Sequence, residues 1–181
     1  VTLRVVIMGV AGCGKSSVGV AGCGKSSVGA ALSAALAVPY VDGDDLHTAA
    51  NVDKMRRGVP LTDDDRWPWL GQVAACLQDS APVIVGCSAL KRAYRDRIRA
   101  GVRGKVAFVH LSGNRDLIAA RMAQREGHYM PLSLLDSQFA TLEPPGPDEA
   151  VTVNIDQPLP DIVAQILGYL NGEVALREKS P

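Results

Sequence analysis

The sequence predicts an α/β fold, a five-stranded parallel sheet with helices on both faces, and three observations predict it. Short apolar runs of strand length alternate with helix-length segments along the 181 residues, which is how crossover-connected parallel strands read. The first run, LRVVIMG, leads into a glycine-rich loop of the form GxxxxGK[ST] and then into a helical stretch, the order a phosphate cradle needs. With 47% apolar and 21% charged residues the chain has the make-up of an ordinary globular domain, long enough for one sizeable core. A single domain over residues 1–181 is the expectation.

The strand runs are LRVVIMG (3–9), PYVD (39–42), APVIVGC (81–87), KVAFVHL (105–111) and AVTVNID (150–156). Between them, KSSVGAALSAAL, DLHTAANVDKMRR, DRWPWLGQVAACLQ, KRAYRDRIRA, NRDLIAARMAQR, PLSLLDSQFATL and LPDIVAQILGYL read as helices. Pro68 falls near the start of its helix, where a missing amide costs little. PPGPDE (144–149) reads as a turn-rich connector and GEVALREKSP as a frayed tail.

The loop occurs twice. Val10–Gly19 is repeated without change as Val20–Gly29, so both Gly9–Ser16 and Gly19–Ser26 satisfy the motif. In such a loop the glycines let main-chain amides converge on phosphate, the lysine (Lys15 or Lys25) reaches the β/γ phosphates, and the serine hydroxyl (Ser16 or Ser26) ligates Mg²⁺. Gly9, Gly12, Gly14 and Ser17 of the first copy, and Gly22 and Gly24 of the second, complete the candidate nucleotide-binding set. If the first copy works, the following helix absorbs ten extra residues, about 15 Å of helix turned about 80° out of phase, so a bulge is expected instead. If the second works, either KSSVGV serves as the central strand or the first copy loops out beside the nucleotide. Both look costly, and the expectation favours Lys15 and Ser16. The perfect identity of the copies suits a recent duplication, an engineered insertion, or a single segment written twice, in which case both copies denote the same atoms.

Charge and cysteine usage exclude several classes. Nineteen basic and nineteen acidic side chains leave no net field to gather nucleic acid or an anionic membrane, so phosphate recognition must be local. No run approaches the roughly 18 apolar residues of a membrane span. VVIMGVAGC has a leader-like flavour, but its apolar run is brief and a buried first strand is expected. Cys13, Cys23, Cys76 and Cys87 show neither a CxxC pair nor framework spacing, which suits a reducing cytoplasm.

The second strand ends in VDGDDLH (41–47), placing Asp42, Asp44, Asp45 and His47 at a strand's carboxyl end, where open α/β sheets bind ligands. Carboxylates there can hold Mg²⁺ and take a proton from a hydroxyl nucleophile. Helix capping accounts for Asp44 and Asp45, but not for Asp42 or His47.

MGVAGCGKSS, VDGDDLH, NVDKMRRGVPLTDDDRWPWL, CSALKRAYRDRIR, GHYMPLSLLDSQFATLEPP and VNIDQPLPDIV, taken together and in order, make the chain resemble the gluconokinases, small P-loop kinases that phosphorylate D-gluconate. The departure from their pattern is the extra decapeptide, which puts the geometry of the loop in question. The resemblance implies ATP and Mg²⁺ as cofactors, gluconate as substrate, 6-phosphogluconate as product, a homodimer, Asp44 as base or hydroxyl-orienting carboxylate, and Asp42 on the metal side.

An anionic polyol needs a cation for its carboxylate and polar partners for its hydroxyls. Arg66, Lys91 and Arg95 are the cation candidates, against a solvated basic helix face. Ser88 either meets substrate or caps the next helix, and His47 joins the substrate set. Kinases of this type close a lid bearing arginines, and residues 121–143 have that content. Arg121 and Arg125 stand four apart on one helix face, with His128 beyond them as a substrate contact or a loop hydrogen-bonder. Gln157, beside Asp156, is the candidate near adenine. Trp67 and Trp69 read as core and pocket wall. A guanine-nucleotide switch fares poorly, since NKxD is absent and GNRD (113–116) only echoes it. A shikimate-like sister kinase, or a homologue impaired by its own repeat, stays open.

Overall fold

The computed structural model describes residues 2–10, 24–123 and 132–178. Five strands form one parallel sheet, namely β1 (Arg4–Met8), β2 (Tyr40–Asp42), β3 (Val83–Gly86), β4 (Ala107–Ser112) and β5 (Val151–Asn154). Their order is β2-β3-β1-β4-β5, with β1 at the centre. Seven α-helices are described: α1 (Lys25–Leu36), α2 (Ala49–Arg56), α3 (Asp63–Asp79), α4 (Arg92–Ala100), α5 (Arg115–Ala123), α6 (Leu132–Thr141) and α7 (Leu159–Glu178). A one-turn 3-10 helix, Gly43–Leu46, follows β2. No described helix is long and apolar enough to cross a membrane.

The two-residue period of the central strand divides the core. Val5 and Ile7 join Ile84, Val109 and Leu111 beneath α1, α5, α6 and α7, whereas Val6 and Met8 join Val83, Val85 and Phe108 beneath α3 and α4. Because both faces are covered, the strand after Arg4 is apolar, and Val5 to Met8 are fully buried.

All five expected strands are present, and α1 coincides with KSSVGAALSAAL. Three expectations on helices need correction. DLHTAANVDKMRR is not one helix, because Thr48 accepts a hydrogen bond from the Asn51 amide and starts α2 afresh after the 3-10 turn. Pro68 lies inside α3, because a reciprocal capping box between Thr62 and Asp65 begins that helix at Asp63. The chain continues helically through GEVALRE, since α7 runs to Glu178.

Arg95 also stands differently from its expected role at the substrate. It lies on the inward face of α4, 1% exposed, beside Tyr94 and Ile98. Its Nε and Nη2 donate to Glu149 at 3.2 and 3.3 Å, and Nη1 donates to the carbonyls of Ala89 and Leu90, both at 3.1 Å. The guanidinium is thereby committed inside the fold, where it pins the β3–α4 connection to the turn before β5. Burial, and secondarily this charge, pulls the His110 imidazole on β4 down to about 4.

Arg95→Met should cost about 3–5 kcal/mol in urea unfolding, because it removes the closer cation from the buried Glu149 carboxylate and leaves it Arg99 at 3.6 Å. Acid should also weaken the fold through His110. Its folded value lies below its ordinary 6.5, so the unfolded chain takes up the proton first and stability drops as pH falls from 6.5 towards about 4. Thermal midpoints measured across that window should fall less in His110→Gln than in the wild-type chain.

Candidate active site

The site forms where the carboxyl end of β1 meets the start of α1. Lys25 opens α1, and its side chain turns back to donate from Nζ to Gly9 O at 3.2 Å and Val10 O at 3.1 Å. Although 7% exposed, the ammonium thus has carbonyl partners. Gly24 precedes it with φ 77°, a left-handed conformation that glycine adopts without Cβ strain, and supplies no side-chain cap. The first-turn amides of α1 are therefore not capped by a side chain, which is the arrangement that receives phosphate at a helix N-terminus.

Next to it stands the tip of β2. Ser26 Oγ donates to Asp42 Oδ2 at 3.5 Å, while Asp42 Oδ1 accepts from the Asp44 amide at 3.0 Å. One carboxylate thus caps the 3-10 turn with one oxygen and faces the loop serine with the other. The turn itself is pressed on β3: a Cβ on Gly43 would lie 2.2 Å from Gly86 O, so only glycine fits. Trp69 donates from Nε1 to Gly43 O at 2.7 Å and stacks on His47, with ring centroids 4.1 Å apart and 15° between planes. Burial, and secondarily the Arg66 charge, pulls His47 down to about 4. Asp44 stays 40% exposed at the mouth of this cluster.

A second polar group lies beyond it. Asp63 accepts from Lys91 Nζ at 3.0 and 3.1 Å and from the Tyr94 hydroxyl, and those two donors, Tyr94 first, hold its carboxyl below the usual range. Arg66 lies 5.6 Å from the Tyr94 ring centroid, and its Nε is buried with no hydrogen-bond partner among the described residues. Lys54 grips Asp65 at 2.7 Å, which brings that carboxyl down to about 2.

The structure therefore gathers Gly9, Gly24, Lys25, Ser26, Asp42, Asp44 and His47 around the β1 and β2 tips, with Arg66 and Lys91 on the adjoining helices. Ser88 is 9% exposed beside the loop, its carbonyl accepting from Gly9 N at 3.4 Å. It does not cap α4, whose N-cap position is Lys91. Arg121 is tied elsewhere, donating from Nη2 to Ile155 O at 2.9 Å, after β5. Gln157 lies on the same connection, bonded to Asn154 O and Gln165. Gly12, Gly14, Lys15, Ser16, Ser17, Gly22, Arg125 and His128 lie outside the described residues, as do residues 124–131 of the expected lid segment.

Asn51, Asp63 and Tyr94 went unrecognised in the sequence. The run TDDDR did carry a capping-box signal, but nothing local tells that its first aspartate meets a tyrosine 31 residues later.

A family model described as an AAA domain matches residues 17–145, a span that takes in the second copy of the loop motif and leaves the first outside. The gluconokinase of Gluconobacter oxydans (strain 621H) is 44% identical over 166 residues, covering 90% of this chain and 87% of its own. The crystal structure of a gluconokinase from Sinorhizobium meliloti 1021 superposes with a TM-score of 0.84 at 44% identity, covering 98% of both chains. Shikimate kinase from Aquifex aeolicus vf5, at 15% identity and a TM-score of 0.54, shares the fold alone. At the identity and coverage of the first two, this chain belongs to the gluconokinase family of P-loop kinases.

Proposed function

We propose that this chain transfers the γ-phosphoryl group of ATP to D-gluconate, forming 6-phosphogluconate and ADP, and that the second copy of its loop does the work. The observation that carries the reading is the placement of Lys25 and Ser26. They begin the helix entered from the central strand, within reach of Gly9 on one side and Asp42 on the other. The physical reason the second copy takes this position is the apolar stripe that follows it. Val28 and Leu32 belong to the core, so the helix is fixed by what it buries and the surplus residues fall between strand and helix.

In this reading the α1 amides and the Lys25 ammonium hold the β and γ phosphates, the ammonium exchanging its two carbonyl partners for phosphate oxygens. The acceptor hydroxyl lies at the mouth of the β2 tip, where Asp44 takes its proton as the new P–O bond forms and the bond to ADP breaks. Arg66, half-buried with an unpartnered Nε, suits the substrate carboxylate better than Lys91, whose ammonium is already shared with Asp63. No group of three or more histidine, cysteine, aspartate or glutamate ligands occurs among the described residues. The oxygen pair of Ser26 and Asp42 fits Mg²⁺, a hard cation that completes its shell with water and phosphate, and such an ion would neutralise phosphate charge. Free thiols at Cys76 and Cys87, the latter pushed up to about 12 by burial, suit the reducing, ATP-rich cytoplasm.

Deleting residues 10–19 or 20–29 gives the same chain, so only point substitutions distinguish the copies. Lys25→Met should lower kcat for gluconate phosphorylation by about 100-fold or more, as loss of a group that stabilises developing charge does, while Lys15→Met leaves it within about twofold. The reverse pattern in a coupled ADP-release assay overturns the choice of copy, and no gluconate turnover by the unaltered chain overturns the activity. Asp44→Asn should cost about 100-fold or more in kcat with little change in KM for ATP. Arg66→Met should instead raise KM for gluconate, by about tenfold, as expected for loss of a charge-assisted contact to the carboxylate.

A further inference from the structure

Asn51 is 3% exposed in the first turn of α2, and its side chain faces the β2 tip without belonging to any group assigned above. Its Nδ2 donates to Asp65 O at 2.8 Å. A carbonyl only accepts, so this bond fixes which end of the amide is nitrogen. The same nitrogen lies 3.3 Å from His47 Nδ1. With one hydrogen on Asp65 O, the other points at the imidazole. An amide nitrogen has no lone pair to offer, so this contact is a hydrogen bond only if Nδ1 is the bare, accepting nitrogen.

We infer that Asn51 is a positioning residue that fixes His47 as the neutral Nε2–H tautomer and thereby presents a hydrogen-bond donor towards Asp44. Nε2 lies 4.0 Å from Asp44 Oδ1, close enough for the N–H dipole to act on the carboxylate and beyond a direct hydrogen bond. The ring has little freedom to leave that aim. Trp69 stacks on it, Gly43 O holds the indole, and the His47 side chain is 3% exposed. The same contact disfavours the imidazolium, because a proton on Nδ1 would face the Asn51 N–H. Asp44 is therefore faced by a neutral donor rather than by an imidazolium, which suits a carboxylate that accepts a proton. The consequence for catalysis rests on the reading of Asp44 given above, whereas the tautomer does not.

The test is long-range ¹H–¹⁵N correlation spectroscopy of the ¹⁵N-labelled full chain at pH 7, with the His47 signal identified by its loss in His47→Gln. The expected spectrum has an unprotonated Nδ1 and a protonated Nε2. Asn51→Leu should give mixed tautomers and lower kcat for gluconate phosphorylation about tenfold, with KM for ATP unchanged. Asn51→Asp, whose carboxylate only accepts, should move the proton to Nδ1, and it decides the matter if the leucine variant does not fold. A wild-type His47 that is protonated on Nδ1, or an Asn51→Asp spectrum identical to wild type, overturns the inference. Expected tautomers with unchanged kcat in Asn51→Leu overturn the link to Asp44. Should the unaltered chain not phosphorylate gluconate, the kinase reading fails while the spectra still decide the role of Asn51.

Discussion

The junction between the end of the central strand and the beginning of α1 is the constraint on which the rest of the site depends. Lys25 is an almost fully buried cation, and burying a charge is tolerated only where it meets good partners. It meets the carbonyls of Gly9 and Val10, the last described residues of the strand end. The lysine thus closes strand and helix on each other across the sequence between them. Its partners are the kind that phosphate oxygens can replace.

From that junction the neighbouring strand tip is built by a succession of interactions that each fix the next. Gly43 lets the 3-10 turn lie against Gly86, Trp69 holds the turn by its carbonyl, the indole supports His47, and Asn51 sets the imidazole's hydrogen-bonding pattern. Asp42 contributes to both neighbourhoods, capping the turn and facing Ser26. Asp44 is left exposed at the end of a rigid assembly. In the proposed reaction, such packing lets a single carboxylate aim at a hydroxyl without first being ordered.

Charge inside this fold separates into two kinds. Arg95 and Glu149 form a pair closed to solvent that ties loops together, and its polar atoms are matched to one another and to nearby main chain. Arg66, by contrast, leaves a buried Nε unmatched among the described residues. Both arginines follow basic or acidic runs in the sequence and look alike there. What distinguishes them is which way their helices face.

The sequence by itself determined the strands, the phosphate loop and the acids at the second strand's tip, because apolar periodicity and glycine spacing are local and depend on no distant partner, while the family followed from the resemblance its motifs carry. It also placed α1 after the second loop copy, since KSSVGAALSAAL carries the apolar stripe. The tertiary structure placed Lys25 beside the end of the central strand, because burial of Val28 and Leu32 anchors the helix, an energy that loop motifs do not report. It also decided that Arg95 turns inward and that Asp63 engages Lys91 and Tyr94. The partners of those contacts lie 54, 28 and 31 residues apart. Contacts at such separations depend on the order of strands in the sheet, and residue letters read one segment at a time do not contain that order.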